Sequence, residues 1–297
     1  MPFSLSTKNE LARVFPEHRC CERAELAAIV SLDGKWLEDG KLEVTSSNAA
    51  AARKVFTLLK NLYQTENRVL VRKQRRLDKK NLYVVSAQSV EQLAGDPLAQ
   101  PDADVLPIKG CCLRSFLRGA FLARGSVTNP NRGYHLEFWT NGKGEAERIF
   151  SCLESLVIPA GISPRKRGLV VYLKDGEKIA HLLSLVGAHR ALLKFENVRI
   201  MKGMRGQVNR LVNCETANMD KTVQAAMKQL VQIRKIQEKI GLENLSPKLR
   251  DLALIRLEHP YATFAELGEL LSPKVTKSGV SYRMGCLARI AEDLGEG

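Results

Sequence analysis

The phrase CCERAELAAIVSLDGK at residues 20–35 returns as CCLRSFLRGAFLARGS at residues 111–126, and this internal repeat is the strongest constraint on the fold. At an offset of 91 residues, two adjacent cysteines, an arginine, a leucine and a glycine stand in register. Each glycine leads to a strand-like phrase, KLEVTSSN (41–48) or HLEFWTN (135–141). A helix-like phrase follows, ARKVFTLLKNLY (52–63) or AERIFSCLESL (146–156). RVLVRKQRR (68–76) with NLYVVSA (81–87) answers to GLVVYLKD (168–175), and the apolar stretches VEQLAGD (90–96) and EKIAHLLSLVG (177–187) close the halves as helices. Helix, strands, helix, strands, helix thus occurs twice. The pattern predicts two related α+β half-domains, about 1–98 and 99–200, each with an antiparallel sheet, paired about a pseudo-twofold axis.

Small residues near the repeat's glycines give the leading helices a role. Gly119, Ala120 and Ala123, matched by Ala27 and Ala28, let two backbones approach closely along that axis, while Leu26, Leu117 and Phe121 face the sheets. Such a scaffold resembles that of the LAGLIDADG homing endonucleases. The resemblance implies that the residue before each final glycine is an acid holding catalytic divalent metal over DNA. Those positions are Asp33 and Arg124 here. Asp33 keeps the acid, but a guanidinium offers only donors and cannot ligate a cation. Asp33 and Arg124 are expected to form an ion pair at a vestigial metal site. A surviving nuclease would need Asp33 with another acid, such as Glu25 or Asp104.

Net charge is +14 over 297 residues, which favours a nucleic-acid or other anionic partner. Residues 1–204 hold 32 Lys and Arg against 21 Asp and Glu; residues 205–297 hold 14 against 11. Much of the excess sits in two runs at sheet edges or loops: Arg72, Lys73, Arg75, Arg76, Lys79, Lys80 in the first repeat and Arg165, Lys166, Arg167 in the second. These suit phosphate neutralisation, and equally they suit solvated hairpin tips. No obvious aromatic-stacking phrase of the RNA-recognition type accompanies them.

From about 201 to 245 the rhythm becomes helical. Val223, Ala226, Met227, Leu230, Ile233, Ile236 and Ile240 form an apolar stripe that Gly241 ends, marking a helical linker. Residues 246–297 then read as three short helices. Ser246 and Pro247 start the first, and Thr263 with Glu266 makes a capping box for the second. Ser278 is expected to cap the third, whose buried face is Val280, Met284, Leu287, Ala291 and Leu294. A tight turn between the last two makes a helix-turn-helix, whose final helix enters the major groove. At about 100° per residue, Ser278, Ser281, Tyr282, Gly285 and Arg289 lie opposite the buried stripe, with Arg283 on the flank. Lys274 and Lys277 are placed to reach phosphates beside the helix N-terminus. Gly285 costs roughly 1 kcal/mol against alanine within a helix, which suggests a close backbone approach there. A trihelical unit of this kind also serves as a protein-docking module.

Taken together, SPKLRDLALIRLEHPYATFAELGELLSPKVTKSGVSYRMGCLARIAEDL, GAHRALLKFENVRIMKGMRGQVNRLVNCETANMDKT and CCLRSFLRGAFLARGSVTNPNRGYHLEF resemble the WhiA family of bacterial regulators over nearly the whole chain. The resemblance implies a degenerate LAGLIDADG domain joined to a C-terminal helix-turn-helix. It further implies a non-catalytic transcription regulator of cell division, sporulation and chromosome segregation that binds double-stranded DNA. Ser281, Tyr282 and Gly285 stand where members often show Asn, His and Arg, which bears on the sequence recognised more than on binding. Protein-binding adaptor and residual metal-dependent endonuclease are the alternative readings; another transcription or cell-division protein is a conceivable partner.

Seven cysteines, odd in number and without a CxxC, suggest buried or idle thiols, so neither a metal nor a cofactor is expected. There is no run of roughly 18 apolar residues to cross a membrane. The N-terminus lacks an apolar signal core, and Thr7 with Glu10 looks like a capping box. A cytoplasmic, nucleoid-associated protein is expected.

Overall fold

The computed structural model describes residues 2–73, 81–88, 90–100, 105–107 and 109–295. The chain divides into two compact units, Met1–Lys202 and Gly203–Gly297.

In the first unit, α1 (Phe3–Leu11) precedes the two copies of the repeat. The first copy runs α2 (Arg19–Asp33), β1 (Gly34–Trp36), β2 (Leu42–Ser46), α3 (Ala49–Tyr63), β3 (Asn67–Lys73), β4 (Asn81–Ala87) and the short α4 (Glu91–Ala94). The second runs α5 (Gly110–Arg124), β5 (Gly125–Val127), β6 (Leu136–Thr140), α6 (Lys143–Ser155), β7 (Gly161–Arg165), β8 (Gly168–Leu173) and α7 (Gly176–Val186). The sheets have strand orders β1-β2-β4-β3 and β5-β6-β8-β7, all antiparallel. The two orders superpose element by element, so the sequence repeat is a structural one. Periodicity found the long strands and missed β1, β5 and β7. The first two are three residues long, and β7 carries Pro164, which an edge strand tolerates because it need not donate to a ladder. The helix expected over 90–96 shrinks to the four residues of α4, followed by a 3-10 turn at Pro97–Ala99.

Alternation along the strands sets the layers. Leu42 and Val44, like Leu136 and Phe138, point into the cores, while Glu43 and Thr45, like Glu137 and Trp139, occupy the opposite faces. Gly34 and Gly125 are needed where helix turns into strand. A Cβ would stand 2.4 Å from the Val30 carbonyl oxygen at the first and 2.4 Å from the Phe121 ring at the second.

Thr7 does not cap α1. It is fully buried within that helix and donates to the Phe3 carbonyl at 3.0 Å. Glu10 is a cap, but of another helix: its carboxylate accepts from the Arg190 and Ala191 amides at 2.6 and 3.0 Å. Those amides open α8 (His189–Lys239), a helix of 51 residues. The expected linker over 201–245 is therefore part of a helix that begins earlier, because Ala188, Ala191 and Phe195 already pack in the core of the first unit.

In the second unit, the last turns of α8 pack with α9 (Pro247–Glu258), α10 (Phe264–Leu270) and α11 (Lys277–Asp293). Ile233 and Ile236 are fully buried beside Leu252, Leu267, Val280 and Leu287. Val223 and Met227, expected on the same stripe, are exposed. Asn209, Asn213 and Asn218 also sit exposed along α8. Lys235 and Lys239 on α8 donate to the carbonyls of Ala291 and Leu294, each at 2.8 Å, closing the end of α11. Among the described residues no helix is long and apolar enough to cross a membrane.

Candidate nucleic-acid interface

Two separate constellations bear on a nucleic-acid function, one in each unit. The first lies where α2 and α5 pair. Gly119 makes the close approach possible: a Cβ there would lie 2.2 Å from the Glu25 carbonyl oxygen and 3.1 Å from the Ala28 Cβ. Leu26 faces the first core, and Leu117 and Phe121 face the second. At the C-terminal ends of these helices, Arg124 Nε donates to Asp33 Oδ1 at 2.6 Å, and Arg124 Nη1 donates to Asn141 Oδ1 at 2.5 Å. Lys8 donates to the carbonyls of Leu122 and Ala123 at 3.1 and 3.2 Å. Burial lowers the Lys8 ammonium to about 8 against the opposing pull of Asp33. The positions expected to form an ion pair do so, and a second cation lies in the field of the same acid.

Sequence reasoning missed what occupies the middle of the helix pair. Glu25 is fully buried and forms ion pairs with Lys54 of α3 and with Arg118 of α5, the latter at 2.8 Å. Lys54 also donates to the Leu11 carbonyl at 3.1 Å and to that of Val14. Burial lowers the Lys54 ammonium to about 8, opposed by Glu25. Glu25 is thus committed to two cations, and Asp104 lies outside the described residues. The residue types alone gave no signal: Glu25 and Arg118 are helical charges whose burial depends on the helix pairing.

The basic hairpins sit at strand ends. Arg165 closes β7 and Lys166–Arg167 form the turn to β8, all three exposed. Arg72 is exposed near the end of β3, an edge strand that Lys73 terminates. Arg75, Arg76, Lys79 and Lys80 lie outside the described residues.

The second constellation is the α10-turn-α11 unit. Thr263 and Glu266 complete the capping box of α10. Gly268 lets the turn lie against α10: a Cβ there would be 2.1 Å from the Val275 carbonyl oxygen, and the Val275 amide donates to the Gly268 carbonyl at 3.0 Å. The cap of α11 is Thr276, not Ser278. Its hydroxyl accepts from the Gly279 amide at 3.4 Å, and Ser278 lies one residue inside the helix with its own hydroxyl 3.1 Å from that of Thr276. The helix starts earlier because Thr276, with extended backbone, is the residue whose oxygen reaches the third amide along.

Val280, Met284, Leu287 and Ala291 are buried, Leu294 partly so, and the opposite face is open. Lys277, Ser278, Ser281, Tyr282, Gly285 and Arg289 are exposed, Tyr282 by 70%, with Arg283 half-buried on the flank. Lys274, also exposed, is paired with Glu269 at 2.5 Å. Nothing lies within 4 Å of a Cβ on Gly285, so no close approach within the protein explains that glycine. Between Lys277 and Ala291 the helix contains no acidic residue. The arrangement offers a cationic N-terminal turn and a row of hydroxyls able to donate to phosphates or base edges.

Comparison with known proteins agrees with this two-part geometry. Residues 19–96 match the WhiA N-terminal LAGLIDADG-like domain, residues 113–205 the WhiA LAGLIDADG-like domain and residues 208–291 the WhiA C-terminal HTH domain. A protein of Heliobacterium modesticaldum named probable cell division protein WhiA is 45% identical, covering 98% of this chain and 96% of its own. One of the same name from Desulforamulus reducens is 46% identical, covering 100% and 97%. The crystal structure of full-length DUF199/WhiA from Thermatoga maritima is similar with a TM-score of 0.65 at 28% identity, covering 99% of each chain. That of the N-terminal LAGLIDADG domain of DUF199/WhiA gives 0.54 at 26% identity, over 62% of this chain and 90% of that one. With the LAGLIDADG-like pair in one unit and the helix-turn-helix in the other, this chain belongs to the WhiA family.

Proposed function

We propose that the protein is a non-catalytic, sequence-specific binder of double-stranded DNA that regulates transcription in connection with cell division. The observation that carries this reading is the open face of α11, with Lys277, Ser278, Ser281 and Tyr282 exposed over a buried apolar stripe. Base readout falls to Ser281 and Tyr282, and phosphate contact to Lys277 and the helix N-terminus. Arg289 lies twelve residues further, about 18 Å along the axis, and Lys274 must exchange Glu269 for a phosphate. The open space at Gly285 leaves clearance for a groove wall. The relatives' name supports the link to cell division.

Anisotropy titrations against duplex genomic fragments test the reading. Lys277→Ala is expected to weaken binding on all sequences alike and to reduce the salt slope by about one. Tyr282→Ala is expected to change the preference among sequences more than the slope. Failure of the intact protein to bind any fragment at low salt would overturn the proposal.

Loss of nuclease chemistry is part of the same reading. It rests on the donor set: the guanidinium of Arg124 pairs with one of the two carboxylate oxygens of Asp33 and, standing at the equivalent position of the second repeat, supplies no ligand itself. Incubated with supercoiled plasmid and magnesium or manganese, the protein is expected to leave the plasmid intact. Cleavage abolished by Asp33→Ala would show that the acid still works.

A further inference from the structure

The cysteines that open each repeat meet in the fold. Cys20 and Cys21 lie in the first turn of α2, Cys111 and Cys112 in the first turn of α5, and their four Sγ atoms all lie within 4.8 Å of one another. Cys21 Sγ is 3.9 Å from Cys112 Sγ, which is 4.0 Å from Cys111 Sγ. Cys20 is exposed, Cys111 half-buried, and Cys21 and Cys112 buried. The remaining three cysteines belong to no such group among the described residues.

These spacings have a specific meaning. A zinc ion in a tetrathiolate site is tetrahedral with Zn–S near 2.3 Å, which sets the sulfurs roughly 3.8 Å apart. Two of the separations, 3.9 and 4.0 Å, are close to the edges of that tetrahedron, and the rest lie within 4.8 Å, so small side-chain rotations close the site. A disulfide would need sulfurs at about 2.05 Å and would engage only two of the four.

We propose that Cys20, Cys21, Cys111 and Cys112 form a tetrathiolate site for one zinc ion that clasps the N-termini of the two repeat helices. Binding transfers no electrons. The cation accepts one lone pair from each sulfur, and the thiols release their protons to solvent, leaving a centre of charge −2. The surroundings suit that charge. Both helices direct their positive ends at the cluster, and neither His18 nor Lys109 places a side-chain cap there. Lys109 lines the hollow beside Cys20 and Cys112, with Arg23, whose charge is paired there with Asp96. No CxxC announces the site because each helix contributes adjacent cysteines and the pseudo-twofold pairing brings the two halves together.

The test uses the full chain, stripped with chelator under reducing conditions and reloaded separately with zinc and cobalt(II). One ion per chain is expected by elemental analysis. Cobalt should give intense thiolate-to-metal charge-transfer bands with tetrahedral d–d bands, and zinc should raise the thermal midpoint in a concentration-dependent way. Replacing the two more accessible ligands together, Cys20→Ser with Cys111→Ser, should abolish the cobalt bands and weaken zinc binding by at least about 100-fold, more than outer-shell changes cost. Cys214→Ser with Cys286→Ser should change neither. Folded wild-type protein without the cobalt bands would overturn the proposal. So would equal zinc retention by the Cys20/Cys111 variant, or a Cys21–Cys112 disulfide in protein purified with zinc.

Discussion

Glu25→Ala is expected to lower stability by about 3–5 kcal/mol, as removal of one partner from a buried charge cluster does. The carboxylate is the counter-charge to both Lys54 and Arg118 in a fully enclosed volume. Without it, two cations face each other at the centre of the helix pair. A urea titration reads the effect as a lower midpoint at unchanged slope. Combined Glu25→Leu, Lys54→Met and Arg118→Met should recover much of the loss, since an apolar replacement removes the desolvation cost along with the attraction. The pH dependence carries an independent signature. Burial, as the largest cause, holds Lys54 at about 8 in the folded chain against 10.5 ordinarily. From pH 8 to 10.5 the unfolded chain therefore binds more protons at this site, so folding gains stability as pH rises through that window. Lys8, held at about 8 by burial, adds a gain of the same sign over the same window, so Lys54→Met should lose part of the rise and keep the part due to Lys8. An unchanged urea midpoint for Glu25→Ala would show that Lys54 and Arg118 do not need Glu25 as a counter-charge.

Gly119→Ala is expected to destabilise by about 1–3 kcal/mol or more, although alanine is the better helix former by roughly 1 kcal/mol. The added methyl would stand 2.2 Å from a backbone oxygen of the facing helix, so α2 and α5 must separate to admit it. Gly285→Ala provides the opposite case. Its Cβ meets nothing within 4 Å in the middle of α11, and stability should rise by up to about 1 kcal/mol. If Gly119→Ala raised the melting midpoint as Gly285→Ala does, helix propensity rather than close approach would govern Gly119. Reduced DNA affinity in the stabilised Gly285→Ala protein would point to clearance against a groove wall.

Local pattern made most of the elements legible. Strand-like phrases placed β2, β4, β6 and β8, and the apolar stripe of α11 fixed which side of that helix stays open. The exposure of Ser281 and Tyr282 followed from helical geometry alone. Caps were less secure, because several nearby hydroxyls and carboxylates compete for the same amides. Thr276 displaced Ser278, and Glu10 turned from its own helix to α8, 180 residues away in sequence.

By itself the sequence determined that the N-terminal part is a repeat, because duplicated helix and strand periods at a fixed offset must form equivalent layers. It also determined that Arg124 stands at the repeat position equivalent to Asp33, because the register of the two copies is fixed by the sequence. Only the tertiary structure decided what meets within and between the repeats: Glu25 with Lys54 of its own half and Arg118 of the other, and four cysteines from two helices. Those contacts join residues 29 to 93 positions apart. Their energies depend on exclusion of water and on separations of a few ångströms, which only packing supplies.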